Sequence, residues 1–340
     1  MRAAARTFLI EQGLAGSDEP QAWQPLTGGV SSELWRVDLP GRSICVKGSL
    51  EKLRVPGDWH APVSRNAVEW DWLRFAAETV PGHVPEPLAH DAERGLFAMS
   101  YLPEREYPVW KARLLAGSVH LEDAAAVGQL VGRLHAESAG DSFLATRLAT
   151  DMNFDALRVG PYLRTIARRH PDLAGELAEI IRRTTTTHLA LVHGDVSPKN
   201  VLIGPDGPVL LDAECAWYGD PSFDCAFVLT HLVLKTLVVS RQVEALNLSA
   251  RALVDAYRDQ VAWEPVEDVL ARTARLLPAL LLARVDGLSP VEYLDGQQRS
   301  TVREASRDLI RSGSPDLDTV VGTAIQELGR ARPRRLSLSL

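Results

Sequence analysis

One stretch of this chain constrains it more than any other. Leu191-Val192-His193-Gly194-Asp195-Val196-Ser197-Pro198-Lys199-Asn200-Val201-Leu202-Ile203 runs into Gly204-Pro205-Asp206-Gly207-Pro208, and then into Val209-Leu210-Leu211-Asp212-Ala213-Glu214. Two apolar triplets around a Gly/Pro/Asp turn spell a hairpin. Asn200 and Asp212 are equally far from Asp206, so a symmetric hairpin sets them opposite each other at its open end. An amide oxygen beside a carboxylate is a hard-oxygen site of the sort Mg2+ takes when it also binds phosphates. Asp195 precedes Asn200 in a tight loop and can reach the same point. A metal-holding pair plus one free carboxylate is what phosphoryl transfer to a hydroxyl requires. The metal neutralises phosphate charge, and the carboxylate orients the hydroxyl and accepts its proton.

The surroundings divide in two. From Leu26 to Leu102 the signals are mostly strands and turns: Leu34 to Leu39 alternates, Pro40-Gly41-Arg42 turns, and Ile44 to Lys47 alternates again. A helix is predicted over Arg65–Glu78, with Glu69, Trp72, Leu73 and Ala76 on one face. After Pro103 the pattern turns helical, with further helices expected at 161–184, 222–239, 242–261, 265–285 and 297–312. The boundary falls at 102–104, giving an N-terminal part over 1–102 and a C-terminal part over 103–329. The tail over 330–340 reads as poorly ordered.

Composition excludes several partners. The net charge of −7 and the pI near 5.8 argue against a nucleic-acid binder. Cys45, Cys215 and Cys225 are far apart, which suits free thiols in a reducing compartment. The N-terminal apolar run is too short for a signal-peptide core. The stretch Cys225–Val239 contains His231 and Lys235 and falls short of the ~18 residues of a membrane span. A cytoplasmic protein with no membrane contact is expected. Only five of the 37 basic residues are lysine (Lys47, Lys52, Lys111, Lys199, Lys235). A lysine in a chain that prefers arginine marks a place suited to a compact point charge.

His193-Gly194-Asp195-x-x-x-x-Asn200 resembles the catalytic loop of the protein-kinase-like fold, which has the same Asp-to-Asn spacing. With glycine rather than arginine after the histidine, it resembles the small-molecule branch: aminoglycoside phosphotransferases, choline kinases and methylthioribose kinases. Asp212-x-Glu214 stands where protein kinases carry DFG, and Gly219-Asp220-Pro221-x-Phe223-Asp224 resembles the GDPxxD of this branch. The resemblance covers roughly residues 20–300. It implies an α+β, bilobal protein-kinase-like fold with a β-rich nucleotide-binding lobe and a mainly helical catalytic and substrate lobe. It implies ATP and Mg2+ as cofactors, Asp195 as the catalytic carboxylate, and Asn200 and Asp212 as metal ligands. Glu214 is read either as a contact to a second metal, or as a residue standing behind the metal ligands or in solvent. His193 is expected to hold the loop backbone, Lys199 to touch a phosphate or solvent, and Asp224 to accept hydrogen bonds from loop amides.

On the nucleotide side, Thr27-Gly28-Gly29-Val30-Ser31-Ser32 precedes a strand, as a phosphate-covering loop should. Backbone amides at Gly28 and Gly29 and the hydroxyls of Ser31 and Ser32 are the expected phosphate contacts. The loop resembles the GGxSN of aminoglycoside phosphotransferases, with Ser32 in place of asparagine. Lys47 lies on the strand face opposite Ile44 and Val46 and matches the lysine that contacts the α- and β-phosphates, with Lys52 as the fallback. Glu69 sits on an apolar helix face, where a lone carboxylate is costly, and pairing with Lys47 removes that cost. Met99-Ser100-Tyr101-Leu102-Pro103 is the hinge, with backbone groups of Ser100 and Leu102 toward the adenine.

The reading is an ATP-dependent small-molecule kinase acting on an aminoglycoside-, sugar- or amino-alcohol-like hydroxyl. The alternative is a nucleotide-binding regulator without catalysis. A protein kinase is disfavoured by the missing arginine after His193, the missing DFG and the missing APE. Acceptor contacts are expected from Trp217-Tyr218 and the helices after 224. Glu104, Glu106, Asp220 and Glu244 are the acids available to a cationic acceptor. No coiled-coil heptads argue for a homodimer.

Overall fold

The computed structural model describes residues 2–26, 32–50 and 64–330. The alternating segments of the first hundred residues form one antiparallel sheet. Its strands are β1 (Ala22–Leu26), β2 (Ser32–Leu39), β3 (Arg42–Ser49), β4 (Pro87–Asp91) and β5 (Leu96–Ser100), in the order β1-β2-β3-β5-β4. β2 and β3 form the expected hairpin, with Leu39 paired to Arg42. The two-residue period sorts β3. Ile44 and Val46 face a small outer core with Val37, Leu96 and Ala98, covered by Ala5, Phe8 and Leu9 of helix α1 (Arg2–Glu11). Lys47 points the other way, toward helix α2 (Arg65–Thr79).

Beyond β5 the chain is mainly helical. The helices are α3 (Trp110–Leu115), α4 (Leu121–Ser138), α5 (Ser142–Arg147), α6 (Asp151–Phe154), α7 (Thr165–Arg169), α8 (Ala174–Thr186), α9 (Ser222–Lys235), α10 (Val243–Arg258), α11 (Val266–Asp286), α12 (Gly296–Ser312) and α13 (Leu317–Arg330). Their axis is α9, buried along its whole length. Helices α4 and α10 touch closely at Gly128, where a Cβ would fall 2.2 Å from the Leu253 carbonyl oxygen. No single helix among the described residues is long and apolar enough to cross a membrane.

Two expectations about helices fail for identifiable reasons. The predicted helix over 161–184 is broken. From Asp155 to Arg164 the backbone widens into a π-helix around Pro161, which cannot donate a ladder hydrogen bond. His170 then leaves the helical region, at φ −124° and ψ 70°, because Pro171 follows it. Helix α13 was not anticipated, although Leu317, Val320, Val321, Ala324, Ile325 and Leu328 are buried at helical spacing.

Two small ladders interrupt the helices. Strand β6 (Ala190–Val192) pairs with β9 (Trp217–Gly219), and β7 (Val201–Gly204) pairs with β8 (Gly207–Leu210). The β7–β8 hairpin pairs Gly204 with Gly207, so its centre lies between Pro205 and Asp206 rather than on Asp206. Asn200 therefore sits opposite Leu211, whose N–H donates to the Asn200 carbonyl at 2.9 Å, and not opposite Asp212.

Candidate active site

The β6–β9 ladder holds both ends of the segment 193–216 and presents it beneath the sheet. Gly194 has φ +77°, and a Cβ there would stand 2.5 Å from the Cys215 carbonyl oxygen, so no larger residue fits without a shift. Asp224, at the start of α9, accepts the backbone N–H groups of His193 (2.7 Å) and Gly194 (2.8 Å), and its carboxylate also meets His135 at 3.2 Å. His193 Nδ1 accepts from the Asp195 N–H at 3.1 Å, which leaves Nε2 to donate to the Leu211 carbonyl at 3.1 Å. Its ring stands edge-on to Trp72 of α2, 4.8 Å between centroids. Burial lowers the His193 pKa, so the ring is a neutral brace.

Asp195 is buried yet crowded with donors. Its carboxylate lies 3.0 Å from Arg158 Nη2, 3.1 Å from Lys199 Nζ and 2.8 Å from Asn200 Nδ2. Burial alone would raise its pKa, but Arg158 and Lys199 outweigh it and hold the carboxyl below the usual range. Arg158 comes from the π-helical stretch and also donates to the Gly194 carbonyl at 2.6 Å. Nothing local in the sequence singles it out, because the loop it holds lies 36 residues away in the chain.

Asp212 has φ +68°, the one non-glycine positive φ among the described residues. Its carboxylate bonds Lys47 Nζ, which also donates to Glu69 at 2.7 Å. Burial would lower the Lys47 pKa, but Asp212 and Glu69 more than offset it and keep the ammonium charged. Burial pushes the Glu69 carboxyl upward, and the Lys47 ammonium 2.7 Å away pulls it back toward the charged form. Asp212 falls below the usual carboxylate range, because Lys47 and Lys199 outweigh its burial. Glu214 is tied to fully buried Arg65, Nε to Oε2 at 3.1 Å. Its carboxylate is thus neither solvated nor free. Arg65, a second functional arginine not anticipated, also donates to the Leu50 carbonyl.

The remaining expected contacts divide. Ser32 is buried at the start of β2. The Ser100 N–H is already donated to the Glu86 carbonyl at 2.9 Å, and its hydroxyl accepts from the Glu86 N–H. Ser100 and Leu102 are both half-buried. Gly28, Gly29, Ser31, Lys52 and the tail over 331–340 lie outside the described residues. Trp217 and Tyr218, expected as acceptor contacts, are buried. Trp217 stacks on Phe154 at 4.1 Å, and the Tyr218 hydroxyl is occupied by the carbonyls of Ser138 and Leu189. Asp220 is bound to Arg272 at 3.1 Å, while Glu104, Glu106 and Glu244 are exposed.

Among the described residues no group of three or more His, Cys, Asp or Glu side chains is poised to hold a metal ion. Asn200 and Asp212 offer one amide oxygen and one carboxylate. That donor set suits a hard cation completed by phosphate oxygens and water rather than a protein cage.

Comparisons with known proteins show what the chain as a whole is similar to. A model of a family described as "Phosphotransferase enzyme family" matches residues 22–263. The chain is 26% identical over 220 residues to methylthioribose kinase 2 of Oryza sativa subsp. japonica, covering 56% of this chain and 51% of that protein. It is 27% identical over 259 residues to a probable ketoamine kinase of Escherichia coli K12, covering 68% and 80%. The chain thus spans about half the length of the methylthioribose kinase it matches. The solved structure of amicoumacin kinase with AMP-PNP, Ca2+ and Ami shares the fold. Its TM-score is 0.54 over 92% of this chain and 94% of that one, at 15% identity. A choline/ethanolamine kinase family protein of Mesorhizobium loti aligns with a TM-score of 0.50 at 17% identity, over 96% and 99%.

Proposed function

The chain belongs to the phosphotransferase enzyme family, and on that premise we propose that it is an ATP-dependent kinase of small molecules, moving the γ-phosphate to an acceptor hydroxyl. The observation that carries this reading is the convergence of Lys47, Glu69, Asp195, Asn200 and Asp212, from both the sheet and the helical region, on one cleft. Residues 1–102 are the nucleotide-binding part, 103–329 the catalytic and substrate part, and Met99–Pro103 the hinge between them. Three free, buried cysteines suit a cytoplasmic setting.

Each residue has a task. Lys47, fixed by Glu69, contacts the nucleotide phosphates and gives up its bond to Asp212 as they arrive. Asn200 and Asp212 would hold a Mg2+ ion, which supplies neutralisation of phosphate charge when bound. Asp195 orients the acceptor hydroxyl and takes its proton as the bond from that oxygen to the γ-phosphorus forms and the bond from phosphorus to the departing ADP breaks. A carboxylate with a lowered pKa is a weak base, which suits a loose transition state in which the proton leaves late. Positioning and charge neutralisation supply most of the acceleration. Lys199, half exposed, is placed between Asp195 and solvent to meet the transferring phosphoryl group.

The test is Mg2+-dependent ATP consumption with acceptor, for the wild type and Asp195→Asn. The variant should lose about 10^3-fold in kcat, the scale of a positioned acid–base group, and keep its ATP affinity. Joint loss of folding and ATP binding would assign Asp195 a structural role. Tight ATP binding with no turnover for any acceptor would favour the non-catalytic regulator.

A further inference from the structure

Beside Asp195 lies a concentration of positive charge that phosphoryl transfer from ATP does not by itself explain. Lys235, the last residue of α9, is fully buried. Among the described residues its ammonium makes one hydrogen bond, to the carbonyl of His231 one turn back in the same helix, at 3.3 Å. No carboxylate among the described residues pairs with it. Its ammonium lies 5.6 Å from the centre of the Tyr293 ring, and that of Lys111 lies 5.8 Å from the same centre. The Tyr293 hydroxyl is buried with no hydrogen-bond partner among the described residues. Arg284 of α11 donates to the Tyr162 hydroxyl at 2.8 Å and to Ser289, while its buried Nε has no partner.

This cluster is continuous with the catalytic loop. The Lys111 N–H donates to the Pro198 carbonyl at 2.7 Å. Arg158, on Asp195, and Arg284 lie 5.5 and 5.6 Å from the same Tyr162 ring. Phe227, which Arg158 also approaches, leads to the His231 ring at 5.3 Å. Lys111, Lys199, Lys235, Arg158 and Arg284 thus converge from five separate segments. The carboxylates bonded to them are Asp195 and exposed Glu292. Three of the chain's five lysines are in this group. Burial, with Lys111 and Arg284 close by, lowers the Lys235 pKa to about 7. Glu292, bonded to Lys111, offsets this only in part; a buried ammonium with no carboxylate bonded to it is costly, and a hydrophobic residue of that size would be more stable there. Such a group is accounted for when a ligand brings the opposite charge.

Resting on the kinase reading, we propose that the acceptor is an anion: a hydroxyl compound bearing a carboxylate or phosphate, held by Lys111, Lys235 and Arg284 with its hydroxyl at Asp195. The cationic, amino-alcohol-like acceptor is thereby disfavoured. Asp220 is committed to Arg272, and among the described residues Asp195 and Glu292 are the carboxylates bonded to this wall.

The experiment uses the full chain with Mg2+ and ADP, so that the nucleotide phosphates are already placed. Thermal stabilisation and calorimetric affinity are measured for gluconate, glucose 6-phosphate, glucose and glucosamine, and for glycerate, glycerol 3-phosphate, glycerol and serinol, at fixed ionic strength. At least one anionic member should bind tenfold or more tightly than its neutral and cationic counterparts. Carboxylate and phosphate arms separate the two anion types. Lys235→Met should weaken that binding at least tenfold while ADP affinity stays within twofold. Lys111→Met, at a partly exposed position, gives the same readout if the buried variant folds poorly. Equal binding across each set, no binding by any anion, or indifference to both variants overturns the proposal. ATP turnover then separates the two layers. Anion binding without phosphorylation leaves the anion site and removes the kinase reading. Phosphorylation of glucose or glucosamine, indifferent to Lys235, leaves the kinase and removes the anion site.

Discussion

Asp212 shows how a single residue departs from what its neighbours predict. Its left-handed backbone costs about 1 kcal/mol or more for a residue with a Cβ. It turns the carboxylate out of the β8 alternation and toward Lys47. Asp212→Asn keeps the shape and removes the charge, so it should fold normally and lose at least about a hundredfold in kcat, read with saturating ATP and acceptor. Glu69→Gln leaves Lys47 with one charged partner. It should raise the KM for ATP about tenfold with a smaller change in kcat, which a full ATP titration will show. Asp195, Asn200, Lys47 and Glu69 were legible because loop spacing and strand or helix period place each of them locally. Arg65 and Arg158 were not, since their partners lie 149 and 36 residues away in the chain and an arginine carries little information in an arginine-rich sequence. The one-residue error in the hairpin register came from centring the turn on Asp206, when Pro205 and Asp206 share the loop.

Among the elements, α2 does the most to assemble the site. Arg65, Glu69 and Trp72 lie at i, i+4 and i+7, on one face. They hold Glu214, Lys47 and His193 in turn, so one helix fixes three separate segments. Trp72→Ala removes a buried ring and should cost about 3–5 kcal/mol in urea denaturation. It should also lower kcat more than it raises the KM for ATP, because His193 braces the Asp195 loop and not the nucleotide. The control is Trp70→Ala, half-buried against His90, which should cost less. The existence of α2 followed from its apolar spacing, but its latching role depends on tertiary contacts that no local pattern encodes. The π-helical stretch was hidden for a similar reason: Pro161 announces an interruption without saying that the helix widens and continues.

At the scale of the molecule, the basic wall sets stability against binding. Lys235→Met should stabilise the protein at pH 7, by about 1–3 kcal/mol and a few degrees in Tm, while weakening the acceptor. The sign with pH follows from the lowered pKa. Folded Lys235 sheds its proton near 7 and the unfolded chain near 10.5, so its contribution to stability rises between those values. The advantage of the methionine variant should therefore shrink from pH 7 to pH 9 in paired denaturation curves. Lys111, Arg284, His231, Glu292 and Tyr293 all face this ammonium, and the difference between the two proteins cancels what they share. The β-rich and helical parts were readable along the chain, whereas a wall assembled from five segments was not, because each contributes one cation. Around the catalytic loop, Lys47, Arg65, Arg158 and Lys199 meet Glu69, Asp195, Asp212 and Glu214, four charges against four. On the proposed kinase reading, a base held in that closed set of ion pairs has little to offer a stray water molecule, so the fuel is spared until an alcohol arrives to receive the phosphate.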